Sequence, residues 1–256
     1  MGTIQHSVFH SEILDKQMAI STYIPDTHNQ YGKLPILYFL HGRGGDENFI
    51  ELLDVKSVAD SLISSSIINP LIIVCPRMEN TRGLNTGSES SAGDNLGSNV
   101  NVGRYEDYFI NEVIPFAEMK YEISERFIGG ASAGGYAAIH YGLKYPSLFS
   151  RIGGHMPAIE IELEESDIEY YGDEEGFHLN NPLEFNGFNQ AHQFQSWYLD
   201  AGDKDEGGFN ISMNMFANHL INNDMKVVHH VFEGHHNLQY IKNNISKYLF
   251  FYNGKR

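Results

Sequence analysis

Gly130-Ala131-Ser132-Ala133-Gly134 sets a serine among small residues in the spacing G-x-S-x-G. A hydroxyl is a poor nucleophile near neutral pH. It attacks a carbonyl carbon when an imidazole takes its proton and a carboxylate holds that imidazole in the right tautomer. Both partner types follow in the chain. Trp197-Tyr198-Leu199-Asp200-Ala201-Gly202-Asp203-Lys204-Asp205 brings three acids, and Phe232-Glu233-Gly234-His235-His236-Asn237 brings two adjacent histidines. Upstream, Leu40-His41-Gly42-Arg43-Gly44-Gly45-Asp46 ends an apolar run in a Gly-rich turn whose amides can face a developing oxyanion. The chemistry this set fits is acyl transfer through a covalent serine intermediate. The plain alternative for the pentapeptide alone is a Gly-rich turn with a helix-capping serine. All four pieces together, in the order serine, acid, histidine, point to the nucleophile.

The elements that must carry these groups can be read from apolar spacing. Strands are expected at 5–10 and 17–24, as an antiparallel edge pair, and at 34–40, 71–75, 125–130, 149–153, 194–199 and 226–232. Helical spacing covers 55–64, 133–145, 209–222 and 238–251. It also links Tyr105, Tyr108, Phe109, Val113 and Phe116, where Pro115 should kink the helix or end it early. The alternation predicts an α/β fold, a mainly parallel sheet covered by helices, in a single domain spanning 1–256. Ser132 then falls at a sharp strand-to-helix bend, and the start of the helix supplies free amides. Residues 77–103, rich in Gly, Ser and Asn, read as a long functional loop. Residues 157–190 break the rhythm: nine acids between Glu160 and Glu175, with no Lys or Arg, predict an acidic surface insertion that serves as a solvated flap or part of a lid.

Composition narrows the function classes. The chain has 256 residues, 41% apolar and 20% charged, which excludes wholesale disorder. Seventeen Lys+Arg against 33 Asp+Glu give a formal charge of −16, contrary to what binding nucleic acid or an anionic membrane surface requires. The first residues lack a basic start and an apolar stretch, and no run of 18 apolar residues occurs, so a cytoplasmic protein is the expectation. The one cysteine, Cys75, lies in an apolar run and reads as a buried, inert thiol. His229-His230 sends its two rings to opposite faces of a strand, so no metal site is assigned. The Gly-rich turn at 41–46 matches neither nucleotide-binding glycine motif, and no organic cofactor is expected. Four of the seven arginines, Arg43, Arg77, Arg82 and Arg104, fall in loops expected to rim the site. They are either solvated surface residues or, for one or two of them, contacts to an anionic group of the substrate.

The chain resembles the α/β-hydrolase "putative esterase" group, which includes esterase D-like, feruloyl, acetylxylan and siderophore esterases. The resemblance rests on Leu40-His41-Gly42-x-Gly44-Gly45, Val113-Ile114-Pro115 with Tyr121, Gly130-x-Ser132-x-Gly134-Gly135-Tyr136, Tyr145-Pro146-x-Leu148-Phe149, Gly202-x-x-Asp205 and His236-Asn237. It spans about residues 34 to 250. The resemblance implies an α/β-hydrolase fold and hydrolysis of a small-molecule carboxylic ester without metal or cofactor. It makes Ser132 the nucleophile and its Gly-x-x-Asp turn favours Asp205 as the acid, with Asp203 as rival. It favours His236 as the base over His235, which stands where the family usually has glycine. Oxyanion donors are the amides of Ala133 and of Arg43, or of Gly42 if the turn is shifted. Arg43, Arg77 and Arg104 are the candidate substrate contacts. Two departures affect the walls: Ala133 replaces a frequent methionine, and Leu238 an aromatic residue. Acyl transfer to another nucleophile uses every one of these residues, and a binding protein on the same fold is the non-enzymatic rival.

Overall fold

The run Leu34–Leu40 (β3) is apolar at nearly every position because both of its faces are covered. Ile36, Tyr38 and Leu40 pack into one core cluster, and Leu37 and Phe39 pack into the other. Period-two alternation therefore divides the strand between two apolar layers. The computed structural model describes residues 1–26, 32–86 and 100–255. The other strands of the main sheet are β1 (Thr3–Ser11), β2 (Lys16–Ile24), β4 (Ile72–Pro76), β7 (Ile123–Ala131), β8 (Arg151–His155), β9 (Ser196–Lys204) and β10 (Lys226–His235). A separate two-stranded ribbon joins β5 (Asn85–Thr86) to β6 (Gly103–Arg104).

The eight strands run in the order β1-β2-β4-β3-β7-β8-β9-β10. From β4 to β10 all neighbours are parallel, while β1 and β2 form an antiparallel edge pair in which β2 also meets β4 antiparallel. One face carries α3 (Tyr105–Tyr108), α4 (Ile114–Glu118), α5 (Ala133–Lys144) and α8 (Phe209–Asn222). The other carries α1 (Phe49–Leu52), α2 (Val55–Ser64) and α9 (Leu238–Asn253). No helix among the described residues is long and apolar enough to cross a membrane.

Several boundaries differ from the sequence expectation. The fourth parallel strand lies at Arg151–His155 rather than 149–153, and Phe194 sits exposed in a 3₁₀ turn (His192–Phe194) before β9 begins. β9 continues to Lys204, so Asp203 belongs to the strand, and β10 continues past an irregularity after Phe232 to His235. Pro115 does not end its helix. A wider π turn, Phe109–Val113, precedes it, so the proline enters near the start of α4, where its missing N–H costs least. The expected loop at 77–103 is described only at its ends, where the β5–β6 ribbon forms; 87–99 lie outside the described residues. The acidic insertion holds a 3₁₀ turn (Glu165–Asp167), α6 (Ile168–Tyr171) and α7 (Glu174–Asn180), with Tyr170, Tyr171 and Phe177 buried. Cys75 is buried, as expected, and burial raises its thiol pKa.

Candidate active site

The bend between β7 and α5 holds Ser132 at φ 55° and ψ −118°, in the left-handed region that a non-glycine residue occupies only when its surroundings impose it. The imposing contacts are backbone. The Ser132 amide donates to the His155 carbonyl at 2.9 Å, and the Ser132 carbonyl accepts from Tyr136 and Ala158 at 2.9 and 3.0 Å. The flanking glycines follow from the same crowding: a Cβ at Gly130 would lie 2.5 Å from the Gly134 carbonyl oxygen, and one at Gly134 would lie 2.4 Å from that of His41. Ala133 opens α5, so its amide has no intrahelical acceptor.

Ser132, His236 and Asp205 come together from the carboxyl ends of three strands. His236 Nε2 lies 2.9 Å from Ser132 Oγ, and its Nδ1 lies 2.8 Å from Asp205 Oδ2. With the Asp205 side chain fully buried, this arrangement puts the ring proton on Nδ1 and leaves Nε2 to accept from the serine. The Gly207 amide steadies the other carboxylate oxygen at 3.0 Å, and Phe209 packs its ring 5.2 Å from that of His236. The rivals lie elsewhere. The His235 side chain is half exposed and pairs with Glu206 at 2.6 Å, and Asp203 accepts from the Gly234 amide at 2.9 Å. Gly234 takes φ 152° in the irregular last stretch of β10, between Phe232 and His235, and the chain bends at His236. Asn237 then caps α9, accepting from the Tyr240 amide at 3.0 Å.

The Gly42 turn lies against the serine: a Cβ at Gly42 would sit 3.1 Å from that of Ser132. His41 fastens this turn. Its Nε2 accepts from the Met78 amide at 2.9 Å, which leaves Nδ1 to donate to the Gly42 carbonyl at 2.8 Å. Burial pushes the His41 pKa below its ordinary 6.5, against the opposing pull of that carbonyl. The unfolded chain therefore takes up a proton below about pH 6.5 that the folded chain refuses. Stability contributed by neutral His41 is complete above that pH and drains away as pH falls, by at most about 1.4 kcal/mol per pH unit. Urea midpoints between pH 8 and pH 5 should fall less steeply in His41→Gln than in the wild type.

Behind the serine, Asp200 and His155 form a fully buried pair at 2.7 Å. Tyr240 and Tyr248 of α9 both donate to Asp200 Oδ2, at 2.7 and 2.8 Å. One buried carboxylate thus ties β8, β9 and the helix after His236 together.

The serine opens into a cavity of about 700 Å³ whose lining includes Gly42, Arg43, Ala133 and His236. Arg77 and Arg104 are not in that lining. Arg77 is held by both oxygens of Glu47 at 2.7 Å, and Arg104 by Asp107 at 2.6 Å. Arg43 does line the cavity, paired with Asp167 at 3.3 Å and stacked 4.7 Å from the Tyr170 ring centre. Arg82, which sequence reading placed in a rim loop but not among the candidate substrate contacts, also lines the cavity, buried in its wall and paired with Glu160 at 2.6 Å. Sequence reading missed Glu206 and Phe209, although Glu206 directly follows Asp205. It also missed the Asp200–His155 pair, whose members are 45 residues apart and carry no local signal. Among the described residues no group of three or more His, Cys, Asp or Glu side chains is placed to hold a metal ion.

Comparison with known proteins adds the relationship. A family model described as "Putative esterase" matches residues 11–248. The chain belongs to this family. Solved structures of low sequence identity share its α/β-hydrolase fold. A ferulic acid esterase matches with a TM-score of 0.79 at 22% identity, over 97% of this chain and 96% of that one. An S-formylglutathione hydrolase from Agrobacterium tumefaciens matches with a TM-score of 0.77 at 16% identity, over 97% and 93%. In sequence, an esterase of Mycobacterium tuberculosis is 25% identical over 152 residues, 57% of this chain. This chain spans only about a third of that relative, the match covering 30% of its length. The two positions at which this family member departs from the expected esterase pattern, Ala133 and Leu238, both line the cavity.

Proposed function

We propose that the protein is a serine carboxylic-ester hydrolase that works through an acyl-enzyme on small-molecule esters. The observation that carries this reading is the unbroken hydrogen-bonded chain from Ser132 Oγ through His236 to Asp205, with spacings of 2.9 and 2.8 Å at the floor of a cavity. His236 takes the serine proton as Oγ attacks the ester carbonyl carbon, and Asp205 stabilises the imidazolium that forms. The amides of Ala133 and of Arg43 or Gly42 receive the oxyanion, each donor being worth about 3 kcal/mol in the transition state. Collapse of the intermediate breaks the bond to the alcohol, which leaves with the proton from His236. Water, deprotonated by the same ring, then releases the acid and restores Ser132.

Membership of the esterase family supports the reading, as does the backbone conformation imposed on Ser132. The test is turnover of short p-nitrophenyl esters, followed by treatment with one equivalent of a fluorophosphonate and peptide mapping. Turnover that disappears as the peptide bearing Ser132 gains the phosphonyl group is the expected result. Turnover that survives complete labelling of Ser132 overturns it. Adding methanol or an amine and analysing the products separates hydrolysis from acyl transfer: the free acid should dominate.

A further inference from the structure

Arginines near an esterase cavity suggest a grip on anionic substrates, and the pairing seen here weakens that grip. Among the described residues, the cavity lining holds two cations, Arg43 and Arg82, and three carboxylates, Glu160, Glu164 and Asp167. Arg82 is 2% exposed, donates to Glu160 and to the Ala158 carbonyl, and lies 5.1 to 5.4 Å from the ring centres of Tyr136, Tyr170 and Tyr171. Binding an anion with Arg82 would strand Glu160 in the wall. Arg43 is the more accessible, but Asp167 at 3.3 Å offsets its charge and Tyr170 stacks on its guanidinium. Two of the three acids are thus spent on the two arginines, and Glu164 is left with no described side-chain partner. Across the site, Glu206 adds a further carboxylate beside His235 and His236.

We infer that this cavity selects neutral or positively charged esters and works against anionic ones, with Glu164 as the specificity-determining residue. The inference rests on the ester-hydrolase reading and names its substrate class: uncharged esters and esters that carry an amino or quaternary-ammonium group. Among the described lining residues, an incoming carboxylate meets an excess of one negative charge and guanidinium groups already paired with carboxylates, whereas an ammonium group meets an unpaired carboxylate. In a partly solvated cavity, one net charge separates cation from anion by about tenfold in rate, and salt screens most of that difference.

The experiment compares three fluorophosphonates with near-isosteric alkoxy arms: 2-(trimethylammonio)ethyl, 3,3-dimethylbutyl and 3-carboxypropyl. Second-order labelling rates of Ser132 are measured at low salt and in 0.5 M NaCl, each normalised to the reagent's hydroxide rate at the same salt concentration. The cationic arm should label about tenfold faster than the anionic arm at low salt, and about two- to threefold faster at high salt. Glu164→Gln should cut the low-salt ratio by about threefold. An anionic arm that labels as fast as the cationic one overturns the inference and leaves the esterase reading standing. So does a ratio unchanged in Glu164→Gln. Failure of all three reagents to reach Ser132 would overturn the esterase reading, and this inference with it.

Discussion

Ser132→Ala is expected to lower kcat on p-nitrophenyl acetate by about 10⁵- to 10⁶-fold, while KM moves only a few-fold. In the proposed mechanism the substitution removes the one atom that bonds to the acyl carbon. The ester still enters the cavity, and the amides of the Gly42 turn and Ala133 still face its carbonyl, so a residual rate above water should persist. His236→Ala should fall to a similar level, and the double variant should fall no further, because a base without a nucleophile does nothing. Folding is a fair control here, since Ser132 is held by its backbone amide and carbonyl, which alanine keeps. A Ser132→Ala protein with wild-type thermal denaturation and more than a hundredth of wild-type kcat would remove the serine from the chemistry.

Asp205→Asn should cost about 10⁴-fold in kcat. The amide that replaces the carboxylate can turn its NH₂ toward His236 Nδ1, which forces the ring proton onto Nε2 and blocks acceptance from Ser132. It also withdraws the charge that stabilises the imidazolium. Asp203→Asn should stay within about threefold of wild type, because an asparagine oxygen can still accept from the Gly234 amide, the bond recorded at 2.9 Å. Reversal of these two results, Asp203→Asn inactive and Asp205→Asn active, would transfer the role of acid to Asp203. The paired measurement uses the same ester and pH for both variants.

Much of this architecture was legible because it depends on neighbours in sequence. The apolar run of β3, the glycines around Ser132 and the helical spacing of α5, α8 and α9 each follow from local sterics and periodicity. The choice between adjacent residues was less so. Whether His235 or His236 reaches the serine depends on an irregularity after Phe232 and on the φ of Gly234, neither of which a periodic pattern encodes. Asp203 was read as following the strand end; β9 instead extends to Lys204, and pairing with β10 fixes that length. The pairing of the arginines is hidden from the sequence for a related reason. For Arg77, Arg43 and Arg82 the partners Glu47, Asp167 and Glu160 are matched by tertiary placement, across 30, 124 and 78 residues, whereas Asp107 is a local partner three residues beyond Arg104. A basic residue in a loop cannot reveal its counter-ion from sequence when that counter-ion arrives on a distant insertion.

The proposed reacting atoms sit at the carboxyl ends of sheet strands, with one carboxylate at Asp200 tying β8, β9 and α9 together behind them, whereas the ionic character of the entrance comes largely from the detour at 160–171. Mutation can therefore retune which molecules are admitted without touching the bond-breaking apparatus. Related proteins on this scaffold can diverge in diet while keeping the same reaction.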